Sequence, residues 1–411
     1  MSNPVPVSPP ISSHKQAKLD SLLAVAANTM NTRGASSLSL STIAKQLELS
    51  RNGLYRYVKD RNDLIRQCYL RSCEHTFENL SRTEKEQDTK ERLSRFIIES
   101  LSAESEQAVV NDFEFLPDAY RHEVASALNK NIELLAAILQ QGQDSGVFCS
   151  FNASAISYSL YGVLDWALIW FHWANDGKNS YQEHGRKIAD AVVDWILNGI
   201  APSTGPFGCR HDSDALIYKH YHLLNRSDSA AHRKQQLVDA AARLFNQKGV
   251  GGVSLDEIAG EIGATKGMIY NQFRSKDELV SACYESALDQ HEVFFSEVES
   301  MEGTGLEKLL TLFHLNCQAH LSDTPPLALQ YGLLNQPDCL LSRAQSLSGR
   351  IRVLFSLAES DKSARSLDTH IVDVAAGASF GVRYRSLNDN ILSTNDIADE
   401  ITRIFAHGVC A

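Results

Sequence analysis

Residues 237–284 read LVDAAARLFNQKGVGGVSLDEIAGEIGATKGMIYNQFRSKDELVSACY, and residues 22–69 read LLAVAANTMNTRGASSLSLSTIAKQLELSRNGLYRYVKDRNDLIRQCY. The two stretches align without a gap at a displacement of 215 positions. Matched identities include Leu22/Leu237, Ala26/Ala241, Asn31/Asn246, Gly34/Gly249, Ser39/Ser254, Ile43/Ile258, Ala44/Ala259, Tyr55/Tyr270, Leu64/Leu279 and Tyr69/Tyr284. A fixed shift held over this length marks an internal duplication.

Each copy has the punctuation of short helices. In the second, Leu237, Ala240, Ala241, Leu244 and Phe245 recur at helical spacing and Gly249 ends the run. Ser254 followed three residues later by Glu257 is a capping-box pattern, and Ser275 with Glu278 is another. Between them Gly263 turns the chain, and Thr265 opens a helix from Lys266 to Phe273. In the first copy, Ser39 precedes the second helix, Ser50 caps a third over residues 51–58, and Asp60 caps the fourth. The pattern is a helix-turn-helix feeding a long connecting helix, with no strand signal.

Charge is unevenly placed. The chain of 411 residues has a formal net charge of -11. Yet residues 14–71 hold ten Lys and Arg against four Asp and Glu, a basic island of the kind that faces nucleic acid. Residues 229–285 hold seven of each, so the two copies are not electrostatic equals.

The runs Ser39-Leu40-Ser41-Thr42-Ile43-Ala44 with Ser50-Arg51-Asn52-Gly53-Leu54-Tyr55, and Ser254-Leu255-Asp256-Glu257-Ile258-Ala259 with Thr265-Lys266-Gly267-Met268-Ile269-Tyr270, resemble the head of the TetR/AcrR family of bacterial repressors. The second copy is the nearer match. The first departs where Asn52 replaces glycine, Val58 replaces phenylalanine and Asp60-Arg61 replaces Ser-Lys. The resemblance covers about 50 residues per copy. It implies an all-α chain of two tandem units, each a DNA-binding head followed by a helical ligand-binding and dimerisation domain, packed as an intrachain pseudo-dimer. The expected division is a tail at 1–13, heads at 14–71 and 230–287, rear domains at 72–200 and 288–411, and a linker at 201–229. Fully extended, that linker would reach roughly 95 Å, well beyond the ~34–36 Å between paired half-sites.

A recognition helix needs donors for base edges and phosphates. The candidates in the first copy are Ser39, Ser50, Arg51, Asn52, Gly53, Tyr55, Arg56, Tyr57, Lys59 and Arg61. In the second they are Ser254, Thr265, Lys266, Gly267, Met268, Tyr270, Asn271, Gln272, Arg274 and Lys276. The resemblance places Tyr55 and Tyr270 on the DNA backbone. Lys59, Arg61, Arg274 and Lys276 stand where phosphates would pass.

Behind the heads, residues 156–174 form an apolar run interrupted by Asp165 and His172, which reads as a buried helix rather than a membrane span. Its Tyr158, Tyr161, Trp166 and Trp170 are candidates to line an effector pocket, and Phe171, His172 and Trp173 extend the aromatic run. In the second copy His314 and Arg343 are candidates to fix a polar head group, as are His320, Arg350, Arg383 and Arg385. Small residues Ala375, Ala376, Gly377, Ala378 and Gly381 suit a close helix crossing. Eight scattered cysteines and a Pro/Ser-rich start without an apolar run suggest free thiols in a cytoplasmic protein. No catalytic motif, cofactor loop or metal-ligand cluster is visible.

The expectation is a ligand-responsive transcriptional repressor, not an enzyme and without a cofactor. Its partners are an asymmetric double-stranded operator and an apolar or aromatic effector, with no membrane. Dimerisation of whole chains stays open. The alternative is a ligand-binding or enzymatic protein whose heads are only structural.

Overall fold

The computed structural model describes residues 13–102, 107–111, 113–174, 181–202, 215–216, 229–328, 330–333, 335–368, 370–381 and 393–410. Most of the expected tail and linker, and Arg383 and Arg385, lie outside the described residues, as do the side chains of Phe171, His172 and Trp173. Among the described residues the fold is all-α apart from one antiparallel bridge between Phe148 and Cys410.

The first half contains α1 (Ser13–Arg33), α2 (Leu40–Gln46), α3 (Arg51–Leu54), α4 (Arg61–Arg82), α5 (Thr89–Ser102), α6 (Asp118–Asp144), α7 (Ala153–Ala174) and α8 (Tyr181–Asn198). The second contains α9 (Ser229–Gly252), α10 (Leu255–Glu261), α11 (Lys266–Gln272), α12 (Lys276–Ser300), α13 (Gly305–Leu321), α14 (Gln330–Leu333), α15 (Asp338–Ser360), α16 (His370–Ala375), α17 (Gly377–Gly381) and α18 (Thr394–His407).

The heads form as the apolar spacing requires. Leu22, Ala26, Ile43, Leu54 and Leu64 are buried in one, and Leu237, Ala241, Ile258, Ile269 and Leu279 in the other. The matched glycines both stop the first helix at positive φ, Gly34 at 77° and Gly249 at 66°, a conformation that disfavours any side chain. Two sequence expectations need correction. The third helix of the first copy ends at Leu54, not Val58, because its last turn tightens: the Leu54 carbonyl takes a bond from Tyr57 N–H at 2.9 Å, shorter than the α-type bond it also takes from Val58 N–H at 3.3 Å. The capping boxes are one-sided: Ser254 and Ser275 accept from Glu257 and Glu278 N–H, but those carboxylates turn to Lys248 and to Arg274 N–H instead.

Behind each head, a helix pair packs within its own half: α5 on α8, and α13 on α18. The two halves then meet through α7 against α16 and α17. Glycine permits that meeting. A methyl group on Gly162 would stand 2.5 Å from Gly381 Cα and would also strike the Gly377 carbonyl oxygen. Trp166 Nε1 donates across the seam to the Asp373 carbonyl at 2.7 Å.

At the other end of the seam, α8 and the C-terminal segment cap one another. Gly199 N–H closes α8, Ile200 and Ala201 N–H bond the Ala406 carbonyl, and Val409 and Cys410 N–H bond the carbonyls of Ile196 and Leu197. Trp195 Nε1 reaches the Phe405 carbonyl at 3.1 Å, its ring edge-on to Phe405. Ile188, Val192 and Ile196 of α8 are buried. No described helix is long and apolar enough to cross a membrane.

Gly162→Leu should lower the melting temperature and ease proteolytic separation of the halves, at a cost of about 1–3 kcal/mol, since the obstructing atoms are backbone. Gly349→Ala, in α15 with open space around the added methyl, should instead stabilise by about 0.5–1 kcal/mol. Thermal melts of both variants check the pair.

Candidate nucleic-acid interface

The two turn-helix faces present their polar side chains outward. In the first head Ser50 Oγ accepts from Gly53 N–H at 3.0 Å and fixes the start of α3. Arg51, Asn52, Tyr55, Arg56 and Lys59 are then exposed, while Leu54 and Val58 turn inward. Gly53 and Tyr57 are half-buried, so they shape the face more than they extend from it. Arg51 lies over the Tyr55 ring at 5.9 Å. Ser39 starts α2 without a side-chain cap, its hydroxyl paired with Ser41. In the second head Lys266, Gly267, Met268, Tyr270, Asn271, Gln272 and Arg274 are exposed around the buried Ile269. Thr265 occupies the N-cap of α11 without a side-chain bond. Tyr55 and Tyr270 stay 43% and 50% exposed, unusual for aromatic rings and appropriate to a surface that meets a partner.

Electrostatics separates the heads further. In the second, Lys266 pairs with Asp256 at 2.9 Å, Arg243 with Glu261 at 2.7 Å, and Lys248 with Glu257. The Asp256 hydrogen bond also holds Lys266 above the ordinary lysine range. Among the described residues, no ion pair engages Arg51, Arg56 or Lys59 in the first head. Its cations are thus the more available ones.

Arg61 and Lys276, expected at phosphates, also have an internal role. They occupy matched positions and do the same internal task. Arg61 donates to the carbonyls of Leu38 at 2.9 Å and Ala35 at 2.7 Å. Lys276 Nζ donates to the carbonyls of Val253 and Val250, the matched residues of the second copy. Burial pulls the Lys276 pKa down. Both cations tie the turn after the first helix to the connecting helix. Their positive charge suggested a surface role, and the carbonyl ends of the preceding turn also hold them.

A second duplicated device, not visible in the motif itself, links head to rear domain. Asn31 is buried; its Nδ2 donates to the Gln107 carbonyl at 2.8 Å and its Oδ1 accepts from Val109 N–H at 2.9 Å. Asn246 does the same with the Pro326 carbonyl and Ala328 N–H, at 2.9 and 3.0 Å. The segments so held then cross between halves. Phe115 of the first half lies against Gly251 and Gly252 of the second head and under Arg61 of its own. Asn335 of the second half donates to the Arg33 carbonyl of the first head at 2.8 Å. An asparagine repeated at the inward end of both first helices was the signal available in the sequence.

The rear cavities are unlike. The second half encloses about 170 Å³, lined by residues such as Phe295, Leu312, Phe313 and Phe380, with Trp166 contributed from the first half. The first half holds only about 80 Å³, with Cys73, Asn131, Tyr161 and Asp165 in its walls. Tyr161 and Trp166 therefore reach cavities, but different ones. Tyr158 and Trp170 are buried in packing, Trp170 beside His370. His314 pairs with Asp399 at 2.7 Å, and Arg343 with Asp289 at 2.6 Å, both away from the cavity lining. Among the described residues no cluster suited to a metal ion occurs.

Residues 22–68 and 237–283 both match the bacterial regulatory proteins, tetR family, and residues 86–200 match the tetracyclin repressor-like C-terminal domain. The chain belongs to the tetR family, in tandem duplicate. Similar curated proteins include the TetC protein of transposon Tn10 from Escherichia coli, 48% identical over 54 residues, 13% of this chain and 27% of that protein. The HTH-type transcriptional regulator AcrR of Shigella flexneri is 45% identical over 56 residues, 14% of this chain and 26% of its own length. The chain thus spans about a quarter of the length of these relatives. Among solved structures, AibR in complex with isovaleryl coenzyme A and operator DNA aligns at 21% identity over 43% of this chain and 96% of that one, with a TM-score of 0.38.

Two variants separate the roles of cations in these tetR-type heads. Arg56→Ala should leave the melting temperature unchanged and flatten the log-log salt dependence of DNA binding by about one unit. Lys276→Ala should lower head stability by about 1–3 kcal/mol, because two carbonyls lose their donor, with the salt slope unchanged. Thermal melts and binding titrations from 50 to 200 mM salt read both.

Proposed function

We infer that this chain is a sequence-specific DNA-binding transcriptional regulator, a ligand-responsive repressor acting in the cytoplasm rather than an enzyme. The observation that carries the reading is the pair of exposed, unlike recognition faces held on one polypeptide by reciprocal contacts. We take residues 14–71 and 230–287 as the heads, 72–200 and 288–411 as rear domains, and 201–229 as the connection. The rear domains then form an intrachain pseudo-dimer, so each chain brings both half-site readers to one operator.

The crossed contacts supply a route for control. The segment following Val109 is clamped to its own head by Asn31 and meets the other head through Phe115. The segment following Ala328 is clamped by Asn246 and meets the first head through Asn335. A change behind either head thus reaches both. Repression requires one relative placement of the heads, and a ligand that favours another placement releases DNA.

Selection of bound genomic fragments followed by footprinting tests the reading. A protected site spanning two half-sites is expected; no protection at moderate salt would refute it. The operator should also lack two-fold symmetry. Paired identical helices read inverted repeats, whereas here Arg51, Asn52 and Arg56 face one half-site and Lys266, Met268 and Asn271 the other. Arginine favours guanine O6 and N7, and asparagine favours adenine N6 and N7. The first half-site should be richer in contacted guanine, the second more prone to present adenine, and the first head should carry more of the non-specific, salt-sensitive affinity. Preference for a perfect inverted repeat in competition binding would show that the two heads are not used as an unlike pair.

A further inference from the structure

We propose that the cavity of the second half binds one small aromatic molecule per chain, and that the molecule carries a hydrogen-bond-donating group received by Asp373. The proposal deepens the regulator reading, which supplies its consequence for DNA but not its chemistry.

Size comes first. A cavity of about 170 Å³ is close to the ~150 Å³ apolar cavity that accepts benzene. The walls suit a ring. Phe295, Phe313, Phe380, Phe405 and Trp166 all contribute, with aliphatic side chains between them. Trp166 stands edge-on to Phe380 at 5.3 Å between ring centres. The smaller, more polar space of the first half, about 80 Å³, does not hold a second ring, which gives the stoichiometry of one.

Polarity comes second. Asp373 lies in the wall with its side chain 1% exposed. Its Oδ2 accepts from Arg352 at 2.7 Å, with His370 Nδ1 at 3.8 Å. Its Oδ1 is buried and has no hydrogen-bond partner among the described residues. Oδ1 has no open surface in the empty cavity, so an occupant's donor reaches it through a small shift of the wall and then supplies the hydrogen bond that is missing. Because Arg352 already compensates the carboxylate, a neutral hydroxyl or amine on the ring is sufficient.

Among the described residues the lining offers this carboxylate and no cation, which disfavours an anionic occupant. His291, the titratable cavity residue other than Asp373, is pulled down to about 4 by burial and is neutral at pH 7. Arg343 and Arg350 are engaged outside the cavity by Asp289, Glu292 and Glu299. The arrangement therefore selects phenol-like or aniline-like molecules over both hydrocarbons and carboxylates of equal size.

Calorimetric titration of the full chain without DNA tests this directly, with phenol, toluene and benzoate as probes. Phenol should bind at one site per chain, toluene about 10-fold or more weaker, and benzoate not measurably, as expected for one hydrogen bond to a charged acceptor. Ala344→Phe, which fills the cavity from α15 while leaving Asp373 and Arg352 in place, should abolish binding. Asp373→Asn should shrink the preference for phenol over toluene, and its melting curve shows whether it folds. Equal affinity for phenol and toluene overturns the assignment of Asp373. Absence of phenol binding, persistence of binding in Ala344→Phe, or two sites per chain overturns the cavity assignment. DNA release is read separately with labelled operator. Phenol-type binding that leaves DNA affinity unchanged keeps the site and overturns only its role as the switch.

Discussion

The crossing of α7 over α16 and α17 sets the geometry of the remainder of the molecule. Gly162, Gly377 and Gly381 let backbone meet backbone, and no side chain larger than hydrogen fits between them. Dispersion and burial along such a contact are strong because atoms of both helices reach van der Waals distance over a long seam. Once that crossing is fixed, the α8 and α18 ends can exchange their caps, Trp166 can reach the Asp373 carbonyl, and Phe115 and Asn335 can reach the opposite heads. Displacing the crossing would disturb all of these together.

The seam also explains why the cavity and the heads belong to one mechanical unit. Trp166 and Asp373 are partners across the seam and neighbours in the cavity wall. An occupant that presses on either presses on the contact between halves. From there the duplicated asparagine clamps and the crossed contacts lead to the heads through packed, hydrogen-bonded structure. The pathway needs no mobile segment, only two alternative packings of the same helices.

The heads were legible in the sequence because they depend on local rules: helical spacing, serine and aspartate caps, and a glycine at a turn, each stated twice. Exposed Arg51, Tyr55, Arg56, Tyr270 and Asn271 are where that reading put them. It missed that a long side chain had a second option. Arg61 and Lys276 stand at phosphate positions by charge and sequence, and they also hold nearby carbonyls of the preceding turn. The shortened α3 was illegible for a similar reason, since its last turn tightens through bonds that propensity does not distinguish from a continuing helix. The rear domains were legible as apolar helices but not as sites. Which face of α7 looks into which cavity depends on the seam, so Tyr161 faces one space and Trp166 another. His314 and Arg343 found carboxylates that lie 85 and 54 positions away in the chain, Asp399 and Asp289.

Joining the halves by one polypeptide changes the arithmetic of occupancy. Separate subunits must associate before both half-sites can be filled, so their hold on an operator falls steeply as they become scarce. In the regulator proposed above, the second head would arrive in cis, at an effective concentration on the order of millimolar. Operator filling would then follow the first power of chain abundance, and a few copies per cell would act with the same affinity per chain as many. In the same reading the fused pair would be shielded from exchange with related subunits, because the α7 to α17 seam is filled by its own chain. Each recognition face can consequently diverge alone, one half-site at a time, without any need for the other to follow.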